Sequence, residues 1–198
     1  MWWLLIHKNW FDYHGDLAYL KEQENYMIAL LDQLSTFIDK DNKEILNGGR
    51  FLDWPTSTDP KAVHAGLQAM MIMTFEAGSE IMDEFNRPDL KKKYKNICKK
   101  LKKHKPEGNT TKQAASLMVL ADITNAKEIN KDILKKDGVQ NMSTFYGYYI
   151  LEAMAKADDY QGALNVINEY WGGMLDLGAT TFWEDFDLEW TKNAAPID

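Results

Sequence analysis

Apolar residues recur every three or four positions along most of this chain, and two-residue alternation is almost absent, so the pattern predicts helices nearly throughout. Eight are expected. The first runs from about Trp2 to Tyr13. A second follows Gly15 from an N-cap at Asp16, with Leu20, Met27, Leu31, Leu34 and Ile38 at helical spacing. Asn47-Gly48-Gly49 reads as a turn, and the residue before Pro55 is pushed out of helical geometry. Asp59-Pro60 opens a third helix reaching about Asp83, with a capping acid followed by proline at the first position. Pro88 opens a fourth, ended by Pro106-Glu107-Gly108. A fifth runs from Thr110 to about Asp122, and a short sixth from Ala126 to Leu134, closed by Asp137-Gly138. A seventh starts at Ser143, and an eighth runs from near Tyr160 to before Gly178.

Two kinds of helix alternate. The odd-numbered ones are apolar nearly all round, as in Trp2-Trp3-Leu4-Leu5-Ile6, Leu67 to Met73, Ala114 to Leu120 and Phe145 to Leu151. The even-numbered ones carry a charged face. A helix apolar on every side needs cover on every side, whereas an amphipathic one faces water. The fold class expected is therefore all-α: hairpins stacked as an inner and an outer layer, as in solenoids and α/α toroids. No internal repeat of fixed period is visible, which favours the toroid. Up-and-down packing would collect Trp2, Trp3, Asp53, Trp54, Ser143 and the segment Thr180 to Asp187 at one end.

Composition narrows the chemistry. A hydrophobic share of 45% with seven tryptophans excludes a disordered chain. A net charge of −7 argues against nucleic acid as a partner, because phosphate binding needs a cationic footprint. The uncharged run from about Ala65 to Phe75 is too short for a membrane helix, so no membrane partner is expected. Met1 to Ile6 has neither the basic start nor the small-residue cleavage site of a signal peptide. The single cysteine, Cys98, leaves the redox compartment open, and localisation with it. His7, His14 and His104 lack metal-ligand spacing, so no metal and no cofactor are expected. The lysine run from Lys91 to Lys105 overlies an apolar stripe of Leu90, Tyr94, Ile97 and Leu101, which reads as a solvated outer face.

The segment Gly178-Ala179-Thr180-Thr181-Phe182-Trp183-Glu184-Asp185-Phe186-Asp187 sets acids among aromatic rings. A carboxylate flanked by Phe182 and Trp183 is expected to be partly desolvated, which raises its pKa toward acid–base work. Aromatic faces beside acids also suit sugars. The structural alternative is a loop whose rings plug the end of a bundle. Leu52-Asp53-Trp54-Pro55 is a second acid–tryptophan pair, with a turn-forming Asp beside a core Trp as its structural reading. Trp2 and Trp3 divide between core and a cleft, and His64 is either a structural donor or a site residue.

Taken together, Trp2-Trp3-Leu4-Leu5-Ile6-His7, Tyr13-His14-Gly15-Asp16, Phe51-Leu52-Asp53-Trp54-Pro55, Val63 to Ala69 and Gly178-Ala179-Thr180-Thr181-Phe182-Trp183-Glu184 resemble the bacterial α-L-rhamnosidases of glycoside hydrolase family 78. Gly-Ala-Thr-Thr-x-Trp-Glu is the most specific of these elements. The resemblance implies an (α/α)6 barrel that hydrolyses terminal α-L-rhamnosides with inversion. In it Glu184 is the general base, and Trp54, Trp183 and one of Trp2 or Trp3 line the rhamnose pocket, with Asp53 and His64 as further contacts. The family's general acid lies upstream of the Trp-Trp helix, and a histidine segment follows its Trp-Glu motif; neither has a counterpart here. The chain is thus expected to be a single all-helical fragment of residues 1–198, about four hairpins of six, nearly inactive alone. Inner helices left uncovered, the first and seventh among them, are expected to drive self-association as a homo-oligomer. The alternative is a helical carbohydrate- or protein-binding module without catalysis.

Overall fold

The structure is a computed structural model that describes residues 1–107 and 110–191, the side chains of Trp190 and Thr191 apart. The fold is all-α. Nine α-helices occur among the described residues: α1 (Trp2–His14), α2 (Leu17–Glu22), α3 (Glu24–Ser35), α4 (Pro60–Glu84), α5 (Pro88–Leu101), α6 (Lys112–Leu120), α7 (Ala126–Ile129), α8 (Thr144–Lys156) and α9 (Tyr160–Asp176). A π-helical turn, Asn130–Leu134, prolongs α7, and 3-10 turns occupy Trp54–Thr56 and Leu188–Thr191. The extended structure among the described residues is an isolated antiparallel bridge between Ile38 and Glu44.

Local chemistry explains the boundaries. Asp16 accepts the Tyr19 amide at 3.0 Å and caps α2, while Asp59 accepts the amides of Lys61 and Ala62 to cap α4, with Pro60 in the first turn. Four helix ends share one stop signal. Asn86, Asp122, Asp158 and Gly178 adopt positive φ, and the next amide reaches back to Met82, Met118, Met154 and Met174 respectively. These are Schellman closures, in which short polar residues tolerate the left-handed conformation that glycine adopts freely.

Two expectations need correction. The predicted second helix breaks into α2 and α3 at Gln23, whose amide bonds to Leu20 and Lys21 carbonyls instead of four residues back. It also stops at Ser35, short of Ile38, because Ser35 and Thr36 hydroxyls bond back to the carbonyls of Asp32 and Gln33. The fourth helix ends at Leu101 rather than at Pro106-Glu107-Gly108, of which Gly108 lies outside the described residues. Among the apolar helices, α6 is buried from Lys112 to Val119, whereas Ile6 of α1 is 58% exposed and Phe145 of α8 is 55% exposed, on the first and seventh helices that were expected to lack full cover.

The chain divides into two compact units. The first comprises 1–50 and 67–106, and the second 51–66 and 107–191 of the described residues. In the first, Leu20, Met27, Leu31, Phe75, Ile81, Met82, Tyr94 and Leu101 are fully buried, and Gly78 lets α4 come within contact of Leu31. The methionines of α4 behave as core filler, with Met70, Met71 and Met82 buried. The lysines of α5 ride above buried Tyr94, Cys98 and Leu101, as the amphipathic pattern requires. In the second unit α6 packs chiefly on α8, which also contacts α9. Its core contains Ala115, Val119, Ile150, Ala153, Met154, Tyr170, Met174 and Phe186. Each large apolar side chain removed from water there contributes roughly 1.5–3 kcal/mol.

Candidate functional site

Two loops of the second unit meet at the start of α8. Ser143 is the N-cap of α8, its Oγ accepting the Tyr146 amide at 3.3 Å. The same hydroxyl donates to Asp53 Oδ2 at 2.6 Å. The next residue, Thr144, ties down the other loop: its amide donates to the Glu184 carbonyl at 3.1 Å and its hydroxyl to the Trp183 carbonyl. A single helix start therefore holds the Asp53-Trp54 loop with its hydroxyl and the Trp183-Glu184 loop with the residue after it. Across the junction, Trp54 Nε1 donates to Glu184 Oε1 at 3.4 Å. Asp53, Trp54, Trp183 and Glu184 are thus brought together, although 130 positions separate Trp54 from Glu184.

The two acids have opposite surroundings, and the assignment made from sequence reverses. Glu184, expected to be desolvated by Phe182 and Trp183, is exposed. Asp53 is the buried one, 7% exposed, and burial raises its carboxyl above the ordinary value; the charge of Asp185 adds to this. Hydrogen bonds from Ser143, the Trp54 amide and Gln113 pull the other way by favouring the anion. Burial also pushes the nearby Tyr146 and Tyr170 phenols far up, so both stay protonated. The reversal has a packing cause. Trp183, half-buried, turns toward Phe186 with ring centroids 5.8 Å apart and packs on the core, so it cannot cover Glu184.

The aromatic surface beside Glu184 comes from other rings. Trp54 is 65% exposed and meets the half-exposed ring of Phe51 edge-on at 5.0 Å, and Phe182 is 59% exposed. The sequence pattern set both Phe182 and Trp183 beside the acid, and of the two it is Phe182 that is exposed. Beneath them a polar network runs inward: Thr56 Oγ1 donates to Gln113 Oε1 at 3.2 Å, and Gln113 Nε2 donates to the Asn141 carbonyl at 2.8 Å. Gln113 and Thr144 carry no sequence signal as site residues, and Ser143 was placed at this end only as the start of a helix. A residue that holds a carboxylate from a distant loop looks, locally, like any helix cap.

The remaining candidates are His64, Trp2 and Trp3. His64 is half-buried on α4 in the second unit. Trp2 and Trp3 belong to the first unit, where both are half-buried. The Trp3 ring lies tilted against that of His7 with centroids 4.0 Å apart, His7 Nδ1 lies 2.7 Å from the Trp3 carbonyl, and Trp3 meets Tyr26 edge-on at 4.8 Å. Trp3 thus packs against rings of α1 and α3.

Among the described residues, no group of three or more His, Cys, Asp or Glu side chains is arranged to hold a metal ion, and no helix is long and apolar enough to cross a membrane. Chemically, the junction offers an exposed carboxylate beside an indole N–H, exposed aromatic rings, and a buried acid that fixes the loop. No protein-family model matches this chain, and no curated protein matches it either.

Proposed function

We propose that the second unit carries the general-base half of an inverting α-L-rhamnosidase site, with Glu184 as the base. The observation that supports this most is the Trp54–Glu184 contact at 3.4 Å, which sets a solvent-reaching carboxylate against an exposed aromatic ring. A sugar's C–H face suits such a ring, while its hydroxyls and an attacking water suit the carboxylate. In an inverting glycosidase one carboxylate draws the proton from water as it attacks the anomeric carbon, and a carboxylic acid about 6.5–9.5 Å away protonates the leaving oxygen. Glu184 takes the first role. Trp54 bonds to it and stacks the sugar, and Phe182 widens the apolar wall. Asp53 is a positioning residue, because its carboxylate is committed to Ser143 and the Trp54 loop. The proton donor is assigned to no residue of this chain, so turnover by the chain alone is expected to stay near that of buffer.

Titration of the tryptophan indole N–H resonances with L-rhamnose tests the reading. The Trp54 resonance is expected to move on binding, and both Trp54→Ala and Glu184→Gln are expected to weaken the sugar. Absence of any perturbation at saturating millimolar rhamnose would overturn it. The exposure of Glu184 favours one other reading, a carbohydrate-binding module without chemistry. That reading gains if Trp54→Ala abolishes binding and Glu184→Gln leaves it intact.

A further inference from the structure

In the second unit, a cavity of about 560 Å³ lies between the start of α6 and the stretch 133–141. That volume is within the range of roughly 300–1,000 Å³ common for small-molecule sites. One lining residue runs against ordinary electrostatics. Lys112 is 6% exposed, and no carboxylate among the described residues forms an ion pair with it. Its Nζ donates to the Gly138 carbonyl, a neutral acceptor, and two N–H donors are left over. Asp137 and Glu169 attract it from longer range, yet burial lowers its pKa in spite of them. Lys112 also occupies the first turn of α6, where the helix dipole disfavours a cation and favours an anion.

A buried ammonium ordinarily has a counter-ion, because taking it out of water unpaired is strongly unfavourable. Fastening the 137–141 turn does not explain the charge. The adjoining side chain, Gln113, fastens the same turn with a neutral amide that donates to the Asn141 carbonyl at 2.8 Å. The missing partner is therefore sought in the cavity. Lys112 and Lys136 against Asp137 leave the lining with one positive charge in excess, which matches a single negative charge on a ligand. The side-chain amides of Gln140 and Asn141 line the same space and have no partner among the described residues. An amide both gives and takes hydrogen bonds, as a hydroxyl does, so these two suit hydroxyl groups. No aromatic ring among the described residues lines the cavity, so nothing there favours a flat aromatic ligand.

We propose that this cavity binds a small polyhydroxylated monocarboxylate, its anionic end against Lys112 at the start of α6 and its hydroxyls against the Gln140 and Asn141 amides. The bound carboxylate supplies the counter-ion that the fold withholds from Lys112. The site does not rest on the reading of the Trp54–Glu184 junction.

Thermal unfolding of the full chain tests this with three probes at constant ionic strength set by sodium chloride. They are sodium gluconate, sorbitol (the same hydroxylated chain without the carboxylate) and inorganic phosphate. Gluconate at a hundredfold excess over its dissociation constant is expected to raise Tm by about 5–10 °C, and sorbitol to leave it unchanged. Lys112→Met, similar in length and uncharged, is expected to abolish the rise. In chloride alone it is expected to unfold no lower than the wild type, because it removes an unpaired buried charge. Lys136→Gln, at an exposed position of the lining, is expected to weaken gluconate about two- to fivefold with Tm in chloride unchanged. No rise with gluconate, or an equal rise with sorbitol, overturns the site. A rise that persists in Lys112→Met, or an affinity unmoved by Lys136→Gln, overturns its placement in this cavity. A larger rise with phosphate than with gluconate overturns the carboxylate as the ligand class.

Discussion

Removing the Ser143 hydroxyl probes how the candidate site is held together. Ser143→Ala deletes the 2.6 Å bond to Asp53 and the cap that accepts the Tyr146 amide at 3.3 Å. Loss of the cap costs about 1 kcal/mol. Loss of a buried bond to a carboxylate costs about 1.5–3 kcal/mol. The sum is about 2.5–4 kcal/mol when Asp53 is ionised. The pH dependence follows from the direction of the Asp53 shift. Its carboxyl is raised by burial above the ordinary 3.8, so it contributes stability below that value, which is lost as pH climbs through the folded-state pKa. The Ser143 hydroxyl opposes the loss by favouring the anion. Without it the carboxyl rises further and deprotonation costs more. The penalty of Ser143→Ala is therefore expected to be larger at about pH 7 than at about pH 3, and in an Asp53→Asn background to be smaller and flat with pH. Urea unfolding followed by far-UV circular dichroism, on the four members of the cycle at both pH values, measures this. A penalty independent of pH, or two substitutions additive to within about 0.5 kcal/mol, would refute the claim that this hydroxyl holds an ionised Asp53.

Three other outcomes are expected. In Gly147→Ala the new methyl would sit 2.6 Å from the Trp171 ring on the α8–α9 contact, so the variant is expected to lose about 1–3 kcal/mol, seen as a lower Tm and relieved by a smaller residue at Trp171. Arg50→Ala strips the guanidinium from the fully buried Glu44 side chain, leaving the Leu46 amide among its donors; about 2–3 kcal/mol of stability is expected to go, and an unchanged urea midpoint contradicts this. Tyr160, Leu164 and Ile167 run exposed along one side of α9, so self-association at micromolar concentration is expected in light scattering and is expected to weaken in Leu164→Lys; a clean monomer argues against it.

The helices were legible because their signals are local. Asp59-Pro60, Pro88 and Ser143 begin helices by chemistry acting within one turn, and the periodicity of α5 located its buried stripe to within one position. Where the local reading slipped, a local competitor was responsible, as with Ser35 and Thr36 bonding back to the carbonyls that would have continued α3. The apolar stretches of α1 and α8 did not by themselves say which of their residues find cover. Apolar sequence states a need for cover, and only neighbours supply it, as the exposure of Ile6 and Phe145 makes plain.

The residue types of the junction were readable as acid–aromatic pairs, but their roles were not. That Trp54 reaches Glu184, that Asp53 and not Glu184 is buried, and that Trp183 packs inward while Phe182 faces out are all decided by tertiary structure. The sequence by itself determined an all-helical chain with its turns and caps in place, since those depend on bonds spanning three or four residues. The environment of each carboxylate depends on atoms brought from 90 or more positions away, as Ser143 is to Asp53. Desolvation is a property of those atoms in space, and no reading of adjacent residues contains it.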